Sequence, residues 1–255
     1  MNVSQIIFSP TGGTEKVADI ITKEWGMPVS RIDLSDAETD YSVLSLDKED
    51  IAVIAVPSYG GRVPDLAVQR ISQIQGNQIR CIIVCVYGNR AYEDTLIELK
   101  DVAEKSGFKV IAAIAAIAEH SIMHQYAEGR PDSKDASELQ QFAKEILEKI
   151  RGNSDEISAL QIPGNRPYKK AGGAGLIPKA DNKCTGCGLC AEQCPAQAID
   201  KETLKTTDSK KCISCMRCVV RCPQSARKVN GAMVSIAALA LKKVCSVRKG
   251  NELFI

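Results

Sequence analysis

The stretch Cys184-Thr185-Gly186-Cys187-Gly188-Leu189-Cys190-Ala191-Glu192-Gln193-Cys194-Pro195 returns 28 positions later as Cys212-Ile213-Ser214-Cys215-Met216-Arg217-Cys218-Val219-Val220-Arg221-Cys222-Pro223. Eight of the chain's 11 cysteines lie in these runs, each with its twin in the other. Thiolates at i, i+3 and i+6 wrap a tight loop around one cubane iron–sulfur cluster, and the chain must leave that loop before a fourth ligand is reached. Pro195 and Pro223 force the exit, because proline fixes its own φ and restricts the residue before it. Gly186 and Gly188 are small where backbone must pass close to sulfide. Structural zinc sites instead pair two short knuckles across a longer spacer. A disulfide framework calls for an oxidising compartment, and no signal peptide is read in the sequence. The spacing therefore predicts iron–sulfur ligation and one-electron chemistry.

The doubled run resembles the bacterial two-cluster ferredoxins. That resemblance implies a small α+β domain with two [4Fe–4S] clusters, in which the fourth cysteine of each run ligates the other cluster. Carried over, Cys184, Cys187, Cys190 and Cys222 hold one cluster, and Cys212, Cys215, Cys218 and Cys194 hold the second. Lys183, Lys211, Arg217 and Arg221 flank the ligands and are expected to favour the more negative, reduced clusters.

The ferredoxin-like part needs only residues 179–235 of a 255-residue chain, leaving 1–151 for a complete core of its own. Residues 152–178 are rich in Gly and Pro (Pro163-Gly164, Pro167, Gly172-Gly173, Gly175, Pro178). They read either as a linker or as an extended segment pinned across the surface. Residues 236–255 read as a basic helix and tail, the helix spanning Ser235–Lys243, with Lys242, Lys243, Arg248 and Lys249. The longest apolar run, Val110–Ala118, is too short to cross a bilayer. A cytoplasmic protein is expected, with neither a nucleic-acid partner nor a membrane span. The near-zero net charge hides a split: residues 1–150 carry −8 and residues 151–255 carry +10.

The first 150 residues alternate strand and helix signals. Strands are expected at Val3–Phe8, Val29–Leu34, Ile51–Val56, Ile79–Val86 and Lys109–Ala118. Helices are expected at Thr14–Trp25, Asp65–Ile74 and Ala91–Ser106, and a last one carries the stripe Leu139, Phe142, Ala143, Ile146, Leu147, Ile150, with Asp132 or Ser133 as its cap. Continuous apolar strands between helices predict a doubly wound, five-stranded parallel sheet, whose ligands bind beyond the carboxyl ends of the strands. Three loops stand there: Ser9-Pro10-Thr11-Gly12-Gly13-Thr14, Pro57-Ser58-Tyr59-Gly60-Gly61-Arg62, and Tyr87-Gly88-Asn89-Arg90-Ala91-Tyr92. The first opens a helix with small residues and hydroxyls, a setting for a phosphate.

These loops resemble those of flavodoxins. The resemblance implies FMN, with the phosphate held by neutral donors of Ser9, Thr11, Gly12, Gly13 and Thr14. It implies a flavin ring between the other two loops, contacted by Pro57, Ser58, Tyr59, Gly60, Gly61, Tyr87, Gly88, Asn89 and Tyr92. The whole chain resembles the flavodoxin–ferredoxin fusions of anaerobes. That implies an electron-transfer protein relaying electrons between FMN, two [4Fe–4S] clusters and an external redox protein or small-molecule donor or acceptor. A ferredoxin-fed flavin reductase and a redox sensor whose domains rearrange are the alternatives. The opposite charges of the two parts predict that they dock on one another.

Cys81 and Cys85 read as core residues of a buried strand, and Cys245 has no ligand-like neighbour. His120 and His124, four apart, read as surface or hydrogen-bonded residues in preference to a metal pair, with His120 a candidate contact to flavin or ferredoxin.

Overall fold

The computed structural model describes residues 1–152, 160–172 and 175–255. Gly173 of the linker reading lies outside them.

The N-terminal part runs β1 (Val3–Ile7), α1 (Gly13–Lys23), β2 (Val29–Asp33), β3 (Ile51–Pro57), α2 (Asp65–Ile71), β4 (Arg80–Tyr87), α3 (Thr95–Lys105), β5 (Lys109–Ile117) and α4 (Ser133–Arg151). The strands align in the order β2-β1-β3-β4-β5, all parallel. This is the flavodoxin-like doubly wound order, with its switch point between β1 and β3. Alternation along β3 shows why the strands are apolar throughout. Ala52, Ile54 and Val56 face one core layer with Ala67, Ile71, Leu96 and Leu99 of α2 and α3. Ile51, Val53 and Ala55 face the other, with Val17, Ile21, Leu139 and Ile146 of α1 and α4. Trp25 ties that second layer by donating Nε1–H to the Ala143 carbonyl at 2.8 Å. The N-terminus of α4 carries a reciprocal capping box between Asp132 and Asp135.

A sixth strand, β8 (Glu252–Phe254), lies antiparallel on β5, pairing Ala113 with Phe254 and Ala115 with Glu252. The tail was read as helix and basic surface because three residues carry no usable period. A parallel sheet ending at β5 leaves an open edge, and the chain's own end covers it.

The cysteine-rich part has a two-stranded antiparallel ribbon, β6 (Lys179–Ala180) with β7 (Arg227–Lys228), and two one-turn helices, α5 (Leu189–Glu192) and α6 (Arg217–Val220). The sequence repeat is a backbone repeat. Gly186 and Ser214, Gly188 and Met216, and Gln197 and Ser225 all have positive φ at matching positions. The second copy thus holds Ser214 and Met216 in a left-handed conformation that the first gives to glycine.

The helix after this ribbon, α7, spans Gly231–Cys245 and so starts before the expected Ser235. Asn230 caps it by accepting from the Ala232 and Met233 N–H groups. The boundary drawn at 235 falls inside this helix. One face of α7 buries Ala238 and Cys245 against Met123 and Tyr126.

Residues 160–172 are pinned across the surface. Leu160 and Ile162 pack on the core of the α2/α3 face. Asp94, 2% exposed, accepts from the N–H groups of Asn165 and Lys169 at 2.9 and 2.7 Å. Arg166 and Tyr168 both bond Asp101, and Arg62 stacks over the Tyr168 ring. The strap ends beside the second loop, with the Gly172 carbonyl where a Cβ on Gly60 would come within 2.8 Å of it.

Candidate redox centres

The eight cysteines of the doubled run gather around two cavities. One is lined by Cys184, Cys187, Cys190 and Cys222. The other is lined by Cys212, Cys215, Cys218 and Cys194. The fold brings each fourth cysteine to the opposite loop: Cys194 and Cys222 close the short helical segments that begin at Leu189 and Arg217. Each receives a backbone N–H on its sulfur at 3.3 Å, Cys194 from Ala198 and Cys222 from Ala226, again 28 positions apart. Among the described residues, no three of His, Cys, Asp and Glu converge tightly enough for a single metal ion. The sulfurs surround volumes instead of points, an arrangement suited to a multi-iron cluster. Burial pushes the Cys215 thiol up to about 12 and the Cys218 thiol to about 11.

One charged group at these cavities is absent from the sequence reading. Arg227 is 2% exposed and is among the largest fully buried side chains. By contrast Lys183, Lys211 and Arg221, which the sequence suggested, are exposed. The signal was available in the repeat: the residue 28 positions before Arg227 is Ile199.

On the sheet rim, the first loop leads into α1 through Gly12 at φ 92, with no side-chain cap on the helix start. Ser9 and Thr14 are buried, Thr11, Gly12 and Gly13 half-buried. Ser9 Oγ accepts from the Glu15 N–H at 2.9 Å, tightening the loop. A Cβ on Gly12 would meet nothing within 4 Å, so the cradle is open on that side.

In the second loop Gly60 and Gly61 both have positive φ, and Ser58 Oγ bonds Thr95 Oγ1. Pro57, the last residue of β3, and Tyr59 are partly buried. Burial, then the neighbouring Cys215, drives the Tyr59 hydroxyl well above the usual tyrosine range. In the third loop Tyr87 and Tyr92 pack edge to face, ring centres 5.3 Å apart, and are 5% and 9% exposed. Tyr92 donates to Glu252 of β8, and Asn89 donates to the carbonyls of Cys245, the last residue of α7, and of Val247 just past it. Core and tail thus already hold Tyr87, Asn89 and Tyr92, and of the three predicted aromatic partners Tyr59 is the one standing toward the cysteine domain. Gly88 is backed by His120, whose ring would meet a Cβ there at 2.7 Å. His120 Nδ1 accepts from the Ile122 and Met123 N–H groups, and burial lowers its pKa. His124 pairs with Glu119.

The cysteine domain sits on this rim. Ile213, like Tyr59, packs against the α2/α3 core. Arg70, 9% exposed, bonds the Leu34 carbonyl with one nitrogen and the Pro195 carbonyl with the other, at 2.5 and 2.7 Å. Arg217 lies 3.5 Å from Asp33, and Gln197 donates to Glu38. Asp36 is held below the usual carboxylate range by Thr39 and the Glu38 N–H, with smaller pulls from Arg70 and Arg217. The contacts come from the loop that holds Cys212, Cys215 and Cys218, through Ile213 and Arg217, and from the turn after Cys194, through Pro195 and Gln197.

Residues 183–227 match the profile of the 4Fe-4S dicluster domain. The fold of the larger part is similar to that of a flavodoxin from Streptococcus pneumonia TIGR4 (23% identity, 58% of this chain and 99% of that chain, TM-score 0.42). It is similar also to the Megasphaera elsdenii flavodoxin (19%, 56% and 98%, 0.41) and to rubredoxin oxygen:oxidoreductase of Desulfovibrio gigas (14%, 59% and 36%, 0.45). Among the curated proteins compared, none matches this chain. The chain joins a sheet of flavodoxin-like strand order to a segment that matches the 4Fe-4S dicluster profile.

Proposed function

We propose that this protein relays electrons between FMN on the sheet rim and two [4Fe–4S] clusters in the cysteine domain, exchanging them with an external redox partner. The observation that carries the reading is the placement of Tyr59 and Ile213: the cysteine loop of one cavity lies against the rim loop expected to meet a flavin. Bound FMN would handle one or two electrons and each cluster one at a time.

The residues of the chain fit both groups. Cys184, Cys187, Cys190 and Cys222 would hold one cluster, and Cys212, Cys215, Cys218 and Cys194 the other. The open cradle at Gly12, with N–H groups at the start of α1 and the Thr11 and Thr14 hydroxyls, would hold a phosphate. Gly60 and Gly61 would bring backbone to the flavin edge with Tyr59 beside it. Ile213 and Arg70 tie the cysteine domain to the rim.

Anaerobic purification with iron, sulfide and flavin quantification tests the reading, with roughly eight irons expected per chain from two cubanes and one FMN. Zinc in place of iron, or full iron with no affinity for FMN, would overturn it.

The docking contacts also predict a weak response to salt. The Arg217–Asp33 pair leaves Asp33 46% exposed, and such pairs contribute ~0–1 kcal/mol. Arg70 acts at a buried position that salt hardly screens, and the apolar contact of Ile213 carries no charge to screen. The intramolecular flavin–cluster rate, followed by flash photolysis, is expected to change less than about fivefold from low to high ionic strength, the factor that ~1 kcal/mol represents. A steep fall would instead assign the docking to long-range charge.

A further inference from the structure

Arg227 is a buried cation that pairs with no carboxylate among the described residues. Nη1 donates to the Leu204 carbonyl at 2.7 Å and lies 3.6 Å from Cys190 Sγ. Nη2 donates to the Pro178 carbonyl at 3.0 Å and to Thr207 Oγ1. Nε is buried with no partner. These partners are neutral oxygens and a cysteine sulfur, and among the described residues no carboxylate bonds the guanidinium. A buried guanidinium left in that state is strongly unfavourable, so the native protein must place negative charge close by.

The two cavities are where that charge would be. Arg227 lines the cavity of Cys184, Cys187, Cys190 and Cys222, and the two residues its Nη2 bonds, Pro178 and Thr207, line the second cavity. The repeat indicates that the turn itself does not need a cation. The first copy builds the same Cys-Pro-x-x-Ala turn with Ile199, which is 5% exposed.

We propose that Arg227 is a shared counter-ion of both clusters, a positioning residue that raises the reduction potential of each. The proposal rests on the iron–sulfur reading above. A thiolate-ligated cubane gains one negative charge on reduction, and a fixed cation at low dielectric favours the reduced form more than the oxidised one. Because one guanidinium lines the first cavity and is bonded to the wall of the second, the two potentials should move together.

The test uses the full chain, purified anaerobically, with iron and sulfide measured first and both clusters then titrated with EPR detection. Arg227→Gln and Arg227→Ile, the latter restoring the first-copy residue, are compared with the exposed control Arg221→Gln. With iron content at the wild-type level, the expected result is a tenfold or larger shift of each cluster's reduction equilibrium toward the oxidised form, about 59 mV for a one-electron couple, and a smaller shift in R221Q. Unchanged potentials, or shifts no larger than those of R221Q, overturn the proposal. So does loss of iron in both Arg227 variants, because the role would then be structural. Absence of iron from the wild-type protein would instead defeat the cluster reading itself.

Discussion

Replacing Cys194 with alanine is expected to empty the cavity of Cys212, Cys215 and Cys218, not the one beside its own run. Cys194 Sγ shares the lining of that cavity with the three later cysteines, while Cys222 closes the earlier one. The direct check is non-additivity, because residues serving one site do not add. If the ligand sets cross, C194A and C218A each remove roughly four of eight irons, and the double variant removes no more than either alone. C194A combined with C187A removes nearly all. Sequential ligand sets predict the reverse, with C194A and C187A overlapping. The crossed arrangement also predicts a kinetic difference. The cavity lost in C194A is the one whose loop carries Ile213 onto the rim core and brings Cys215 near Tyr59, so fast flavin–cluster transfer should disappear. C187A should keep that phase and lose only onward transfer. Survival of the fast phase in C194A at half iron would place the rim contact on the wrong cluster.

The cysteine spacing made this site readable because ligand geometry is local: three sulfurs within seven residues fix a loop before any tertiary contact forms. The parallel sheet was readable for a similar reason, since buried strands such as Ile51–Val56 must be apolar on both faces. What stayed hidden depends on contacts between distant segments. Glu252–Phe254 pairs with β5 over more than 130 residues of intervening chain, and its three residues have no periodicity to detect. The strap 160–172 is held by Asp94, just before α3, and Asp101, on it, carboxylates that no motif in the sequence singles out. Tyr87 and Tyr92 were chosen by loop position, but packing in the α2/α3 core, and for Tyr92 a hydrogen bond to β8, claims them. Arg227 was passed over because a charged residue after the second Cys-Pro reads as surface. Only comparison with Ile199 in the first copy marks it as a cation in a core position.

The largest effect on stability is expected from Asp135. Its carboxylate is fully buried and is bonded in bidentate fashion by Arg130, itself 4% exposed. It also accepts from the Asp132 N–H at 3.0 Å, from Arg248 at 3.2 Å and from Asn251 Nδ2 at 3.2 Å. Arg130 in turn bonds the Lys249 carbonyl, and Asn251 accepts the Ile117 N–H. One carboxylate therefore joins the loop before α4, the helix start and the tail that forms β8. Asp135→Asn keeps the shape but strands a buried guanidinium, and breaking such a pair costs about 3–5 kcal/mol. The contrast is Arg166→Gln, whose ion pair with Asp101 leaves the arginine 55% exposed; exposed pairs contribute ~0–1 kcal/mol. Urea melts should show the large drop in midpoint for D135N, and hydrogen exchange should show early loss of protection in residues 252–254. Burial pushes the Asp135 pKa up, but the Arg130 bonds and the Asp132 N–H outweigh it, and the net direction is down from 3.8. A carboxylate with a lowered folded-state pKa stabilises fully above its unfolded value, and that contribution fades as pH falls through the lower folded value. Wild-type stability should therefore fall as the medium is acidified below about pH 4, and the gap to D135N should narrow there. A gap that stayed constant into that acid range, or a D135N midpoint within the R166Q range, would show that the tail is held by β8 pairing and not by this charge.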